Sequence, residues 1–132
     1  MTNQPSRIFY AEDSEEIAFL VRAILEREGY DVDHVENGRV GVEYVAANPP
    51  PDLAILDIMM PYLDGFQLVR EIRARPDWDR VPVLMVSAKA READIERALA
   101  LGADDYIVKP FSPVDLVART RRMLETGRVA RS

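Results

Sequence analysis

Five short, β-branched apolar runs alternate with five stretches whose apolar residues recur at helical spacing, and few folds accommodate that rhythm. The runs cover residues 8–11, 32–35, 53–56, 81–86 and 106–108, each too short for a helix. The third and fourth are almost continuously apolar, as strands covered on both faces must be. The second, Asp31-Val32-Asp33-His34-Val35, alternates with polar residues and reads as an edge strand. Between the runs, Ile17, Leu20, Val21, Ile24 and Leu25 define a first helix closed by Gly29. Asn37-Gly38 opens a second helix, with Val42, Val45 and Ala46 inward, and Pro49-Pro50-Pro51 stops it. Phe66, Val69 and Ile72 mark a third that ends before Pro76. Residues 91–101 form a fourth, with Ile95, Ala98 and Leu99 as a thin apolar stripe. Ser112-Pro113 caps and starts a fifth, which buries Leu116, Val117, Thr120 and Leu124.

This βα order predicts an α/β fold in which a five-stranded parallel sheet is joined by right-handed crossovers, with helices on both faces. At 132 residues the chain has room for one such domain. The expected arrangement is a (βα)5 three-layer sandwich with the flavodoxin-like strand order 2-1-3-4-5. The domain is expected over residues 7–125, with an extension at 1–6 and a tail at 126–132. Composition then removes chemistries. The balance of 17 Lys+Arg against 23 Asp+Glu disfavours direct nucleic-acid binding, which draws its affinity from clustered cations. With no cysteine and one histidine, thiol catalysis, disulfides and His-rich metal centres are excluded. No signal-like stretch or bilayer-length apolar run is present, so no membrane association and a cytoplasmic location are expected.

Ligands in sheets of this kind bind beyond the carboxyl ends of the strands, where the strand order reverses. The residues there are Glu12-Asp13 after strand one, Asp57 after strand three, Ser87 after strand four and Lys109 after strand five. Strands one and three are neighbours in the expected order, so three carboxylates meet at one corner. Their repulsion calls for a hard divalent cation such as Mg²⁺ or for Lys109. Each residue also has a plainer role. Asp13 with Glu16 reads as a capping box, Asp57 as a turn cap, Ser87 as a turn hydroxyl and Lys109 as a solvated lysine. Tyr106 reads as a strand aromatic, and His34 on the polar edge strand as exposed and inert. Convergence on one rim is what those separate roles leave unexplained.

These residues resemble the receiver domain of two-component response regulators over about residues 6–125. The resemblance rests on Glu12-Asp13, on Asp57 within LDIMMPYLDG, on Ser87-Ala88, and on GADDYIVKPF around Tyr106 and Lys109-Pro110. It implies that Asp57 accepts a phosphoryl group from the phosphohistidine of a sensor histidine kinase or a phosphotransfer protein. It further implies Mg²⁺ (or Mn²⁺) held by Glu12, Asp13, Asp57 and the Met59 carbonyl. Ser87 and Lys109 would bind phosphoryl oxygens, Tyr106 would be the switch aromatic, and the Lys109–Pro110 bond would be cis. As Ser87 moves, Tyr106 is expected to rotate into the space it leaves. The domain would then be a phosphoacceptor switch rather than an enzyme, signalling to a downstream effector protein or domain.

The sequence also departs from the family pattern. Glu12 replaces the commoner Asp, and apolar Met59 offers nothing to align an attacking water, which predicts slower phosphoryl loss than in a Met59→Asn variant. Helix four, poor in apolar anchors, is the expected bistable element. The stretch ADDYIVKPFSPVDLVARTRR resembles the subfamily that forms homodimers through helix 4, strand 5 and helix 5, with Asp105 and Arg119 placed for a cross-dimer ion pair. Ala93 and Ile95 leave that charged network incomplete. Rival readings fit less well. A haloacid-dehalogenase-type hydrolase needs D-x-D after strand one. A flavin-binding protein needs a Ser/Thr/Gly phosphate loop there. A phosphorylation-independent pseudo-receiver does not need the acceptor set that is present.

Overall fold

The computed structural model describes residues 4–127. Five strands, β1 (Arg7–Ala11), β2 (Asp31–Val35), β3 (Leu53–Asp57), β4 (Val83–Ser87) and β5 (Asp105–Val108), pair in parallel in the order β2-β1-β3-β4-β5. They alternate with α1 (Glu15–Arg27), α2 (Gly38–Ala47), α3 (Gly65–Ala74), α4 (Glu92–Leu101) and α5 (Pro113–Thr126). The expected three-layer sandwich and its strand order are therefore present. One core lies between the sheet and α2, α3 and α4, and contains Phe9, Leu56, Leu68, Ile72 and Trp78. The other lies between the sheet and α1 and α5, and contains Tyr10, Leu25, Ile55, Leu84 and Leu116. The central strands β3 and β4 are buried at every residue, while β2 alternates at the edge. Most of the expected tail falls outside the described residues; Thr126 still belongs to α5.

The helices differ from their apolar patterns in orientation. In α1 the buried residues are Ala18, Val21 and Leu25, whereas Leu20 is 57% exposed beside Phe19 at 78%. The small Ala18 lies against the sheet and turns Leu20 out into a groove shared with Val114 and Val117 of α5. Helix α2 buries Gly38, Gly41 and Val45, with Gly41 against Leu68 of α3 and Gly38 against Leu63 in the loop before it, and leaves Ala46 exposed. Helix α5 buries Met123 along with Leu116 and Thr120, while Val117 and Leu124 are half-buried. Helix α4 buries Ala98 alone and has no side-chain cap at its start, with Leu99 exposed.

Two caps fix the loops around the carboxyl end of the sheet. Ser14, not Asp13, caps α1, accepting from the Ile17 N–H. The capping box of this fold is at Asp64 and Gln67, where each side chain accepts from the other residue's backbone N–H. Gly65 follows, so close to β3 that a Cβ there would lie 2.3 Å from the Asp57 carbonyl oxygen. Only glycine fits this contact.

Candidate functional site

The parallel register of β1 with β3 and of β3 with β4 brings the ends of these strands to one rim. There, carboxylate oxygens of Glu12, Asp13 and Asp57 lie within 4.8 Å of one another. Glu12 and Asp57 are buried, and Asp13 is exposed at the mouth. Lys109, carried in from β5, places its Nζ 2.7 Å from Glu12 Oε1 and 3.0 Å from Asp57 Oδ2. It thus supplies the compensating charge that buried carboxylates require. The Lys109–Pro110 bond that follows is cis, as the resemblance implied.

Burial pushes the Glu12 carboxyl above the ordinary carboxylate range, with the Lys109 hydrogen bond pulling the other way and Asp57 adding to the rise. Desolvation and the neighbouring Glu12 move Asp13 in the same upward direction. For Lys109 burial alone would lower the ammonium, but the Glu12 hydrogen bond and the two carboxylate charges outweigh it and hold the group above the usual lysine value. The corner is anion-rich, and Lys109 stays protonated. All its carboxylate donors are hard oxygens, and the Met59 carbonyl belongs to the residue whose N–H donates to Asp57 Oδ1 at 3.2 Å. That donor chemistry fits Mg²⁺ or Mn²⁺, which take carboxylates, carbonyls and waters.

The remaining expected residues line the same rim without joining the carboxylates. Ser87 is fully buried at the end of β4, and its Oγ accepts from the Lys89 N–H at 3.2 Å. The Tyr106 ring is buried, its hydroxyl donating to the Lys89 carbonyl at 2.6 Å. The ring therefore sits inward in this structure. The Met59 side chain is exposed. Asp105 and Arg119 pair within one chain at 3.0 Å, in a network with Asp115 and Arg122.

His34 is the expectation that the structure overturns most clearly. The ring is half-buried and its Nε2 lies 2.7 Å from the Glu12 carbonyl oxygen. Nothing near residue 34 in sequence signals this contact, because it depends on the β1–β2 register that sets His34 beside Tyr10. Tyr10 was also not singled out, although its hydroxyl approaches Glu12 Oε1 at 3.5 Å.

The model of the response regulator receiver domain family matches residues 8–121. The chain belongs to that family. Among curated relatives of this receiver domain, the phosphate regulon transcriptional regulatory protein PhoB of Rhizobium meliloti is 42% identical over 122 residues, covering 92% of this chain and 53% of PhoB. The chain thus spans about half the length of the curated relatives it matches. Two solved structures are close in shape. The signal receiver domain of a signal transduction histidine kinase from Syntrophus aciditrophicus has a TM-score of 0.85 and 36% identity, covering 96% of both chains. The receiver domain of sensor histidine kinase PA1611 from Pseudomonas aeruginosa has a TM-score of 0.84 and 31% identity, covering 92% of this chain and 98% of that one. The latter holds a magnesium ion in its active site cleft. Among the described residues, no helix is long and apolar enough to cross a membrane.

Proposed function

We propose that this receiver domain takes a phosphoryl group onto Asp57 from the phosphohistidine of a sensor histidine kinase or phosphotransfer protein. The observation that carries this reading is the Lys109 ammonium set between Glu12 and Asp57 beside the exposed Asp13. An Asp57 carboxylate oxygen forms a bond to phosphorus while the P–N bond to the donor imidazole breaks. The imidazole nitrogen leaves with the electron pair and takes up a proton. Lys109 neutralises charge next to the oxygens that receive the phosphoryl group, and the Ser87 hydroxyl, at the end of neighbouring β4, donates to them. Such positioning and electrostatics suffice for phosphoryl transfer. When bound by Glu12, Asp13, Asp57 and the Met59 carbonyl, Mg²⁺ (or Mn²⁺) supplies further neutralisation of the phosphoryl charge.

The domain acts as a switch that assists its own phosphorylation and dephosphorylation, not as a turnover enzyme, and we place it in the cytoplasm with its kinase. Its output goes to an effector protein or domain through the α4/β5/α5 face, the same face that would form a homodimer. Helix α4 suits a bistable element because it buries one alanine and begins uncapped. Amide exchange over residues 88–101 should therefore change when an acyl-phosphate mimic is added.

The reading is tested by incubating the protein with acetyl phosphate or phosphoramidate, with and without Mg²⁺, and measuring intact mass. Gain of one phosphoryl group that requires Mg²⁺ and is lost in Asp57→Asn supports it. No modification from any donor would make the domain a phosphorylation-independent interaction module.

A further inference from the structure

Glu12 is held at each of its polar atoms. Its N–H donates to the Val35 carbonyl at 3.1 Å. Its Oε1 accepts from Lys109 at 2.7 Å, and its Oε2 from the Ser14 N–H at 3.2 Å. The last atom, the backbone carbonyl oxygen, has the His34 ring nitrogen 2.7 Å away. A carbonyl only accepts, so Nε2 carries the hydrogen in this contact.

This contact has a geometric consequence for a glutamate ligand. Glu12 has one more bond between Cα and carboxylate than an aspartate, so a given tilt of its backbone displaces the carboxylate further. The carboxylate and the backbone carbonyl belong to the same residue, which is the first beyond the end of β1. The sheet holds its N–H side through Val35, but the carbonyl side has left the ladder. His34, from the neighbouring edge strand β2, holds that side. The Tyr10 ring at 5.5 Å centroid distance restrains the imidazole in turn.

We propose that His34 is a positioning residue for the divalent-cation site: its Nε2–H fixes the Glu12 backbone and so aims the Glu12 carboxylate. This rests on the assignment of Glu12, Asp13 and Asp57 as the metal ligands. Partners that orient metal ligands from behind typically cost about 10–100-fold in metal affinity when removed. Glutamine places its side-chain nitrogen at the same number of bonds from Cα as His Nε2, so it can restore the donor; leucine fills the space without one.

The experiment is a titration of Mg²⁺ by calorimetry, and of Mn²⁺ by the loss of its free-ion paramagnetic resonance signal. The chains are the wild type, His34→Leu and His34→Gln, with thermal midpoints in chelator measured for each. The expected result is a roughly tenfold weaker Kd in His34→Leu, recovered to within about threefold in His34→Gln, at similar midpoints. Equal affinity in His34→Leu and the wild type overturns the role of His34 while leaving the metal site intact. Failure of the wild type to bind either cation overturns the metal assignment and this inference together. Should His34→Leu fail to fold, ¹⁵N-resolved NMR of the wild-type imidazole decides. The Nε2–H form with a hydrogen-bonded proton supports the proposal, and the Nδ1–H form sinks it.

Discussion

The Tyr106 hydroxyl donates to the Lys89 backbone carbonyl over 2.6 Å, and so ties the end of the sheet to the loop that leads into α4. The Lys89 N–H is held by Ser87 Oγ, so both backbone groups of Lys89 are fixed by residues of the phosphoacceptor rim. A change in where Ser87 points must therefore be felt by this loop and by the helix after it. Tyr106→Phe keeps the ring and removes one hydrogen bond. It should cost about 1 kcal/mol of stability. Faster amide exchange should appear in residues 88–92 and not in β1, which hydrogen-exchange mass spectrometry can resolve.

Lys109→Met separates two roles of one cation. Without the ammonium, Glu12 and Asp57 lose their compensating charge, and a divalent cation meets less repulsion. Calorimetry should therefore show tighter Mg²⁺ binding than in the wild type. Phosphorylation by acetyl phosphate should nevertheless fall by about 100-fold, since the group neutralising the transferred charge is gone. A variant that lost both together would contradict this division.

Acid should act on the cation site earlier than on ordinary carboxylates. Glu12 and Asp13 both titrate above their usual ranges, the first cause being desolvation. Protons must leave these groups before a cation binds. Mg²⁺ affinity should therefore start to fall, as pH is lowered, above the range of exposed Asp and Glu. Stability of the metal-free protein moves the other way. Each group binds its proton more tightly folded than unfolded, so their contribution is fully present below the unfolded value and lost as pH rises through the folded one. Parallel Mg²⁺ titrations and thermal melts in chelator across mildly acidic pH check both signs.

Phosphoryl lifetime tests the residue two after the acceptor. Exposed Met59 has no side-chain hydrogen-bonding group with which to align an attacking water. Loss of the phosphoryl group should be slower in the parent than in Met59→Asn, followed by intact mass after donor removal. Equal or faster loss from the parent refutes the role assigned to this side chain.

Arg73 carries the largest expected stability effect away from the site. From α3 its guanidinium donates to the Gly102 carbonyl, to Asp104, and to the carbonyls of Trp78 and Asp79. Gly102, at φ 117°, ends α4 in the left-handed conformation, so this arginine fixes that end of the helix. The Arg73–Asp104 pair is well buried. Arg73→Met should destabilise by about 3 kcal/mol in denaturant unfolding, since it removes the opposite charge from the buried Asp104 carboxylate, which still accepts from the Val83 N–H. The phosphorylation chemistry of the fraction that stays folded should survive.

Most of the fold was legible because its information is local. A carboxylate closing the run Leu53-Ala54-Ile55-Leu56 marked Asp57, and the βα rhythm fixed which strand ends face one rim. Helix orientation was less legible. The apolar spacing of α1 does not say that Ala18 rather than Leu20 meets the sheet, because a close approach by a small residue outweighs one exposed leucine. Asp13 had the right spacing for a cap, yet Ser14 takes that role and leaves Asp13 at the mouth of the site. Arg119 and Asp105 had complementary charges, but charge alone does not say whether a pair closes within one chain or between two.

The sequence by itself determined the alternating strands and helices, the rim and the residue types brought to it, since apolar periodicity and turn chemistry act over a few residues. Only the tertiary structure decided that Lys109 sits between Glu12 and Asp57, that Tyr106 is already inside, and that His34 touches Glu12. Those contacts join residues far apart in the chain, and their geometry follows from strand register and side-chain packing, which no local pattern encodes.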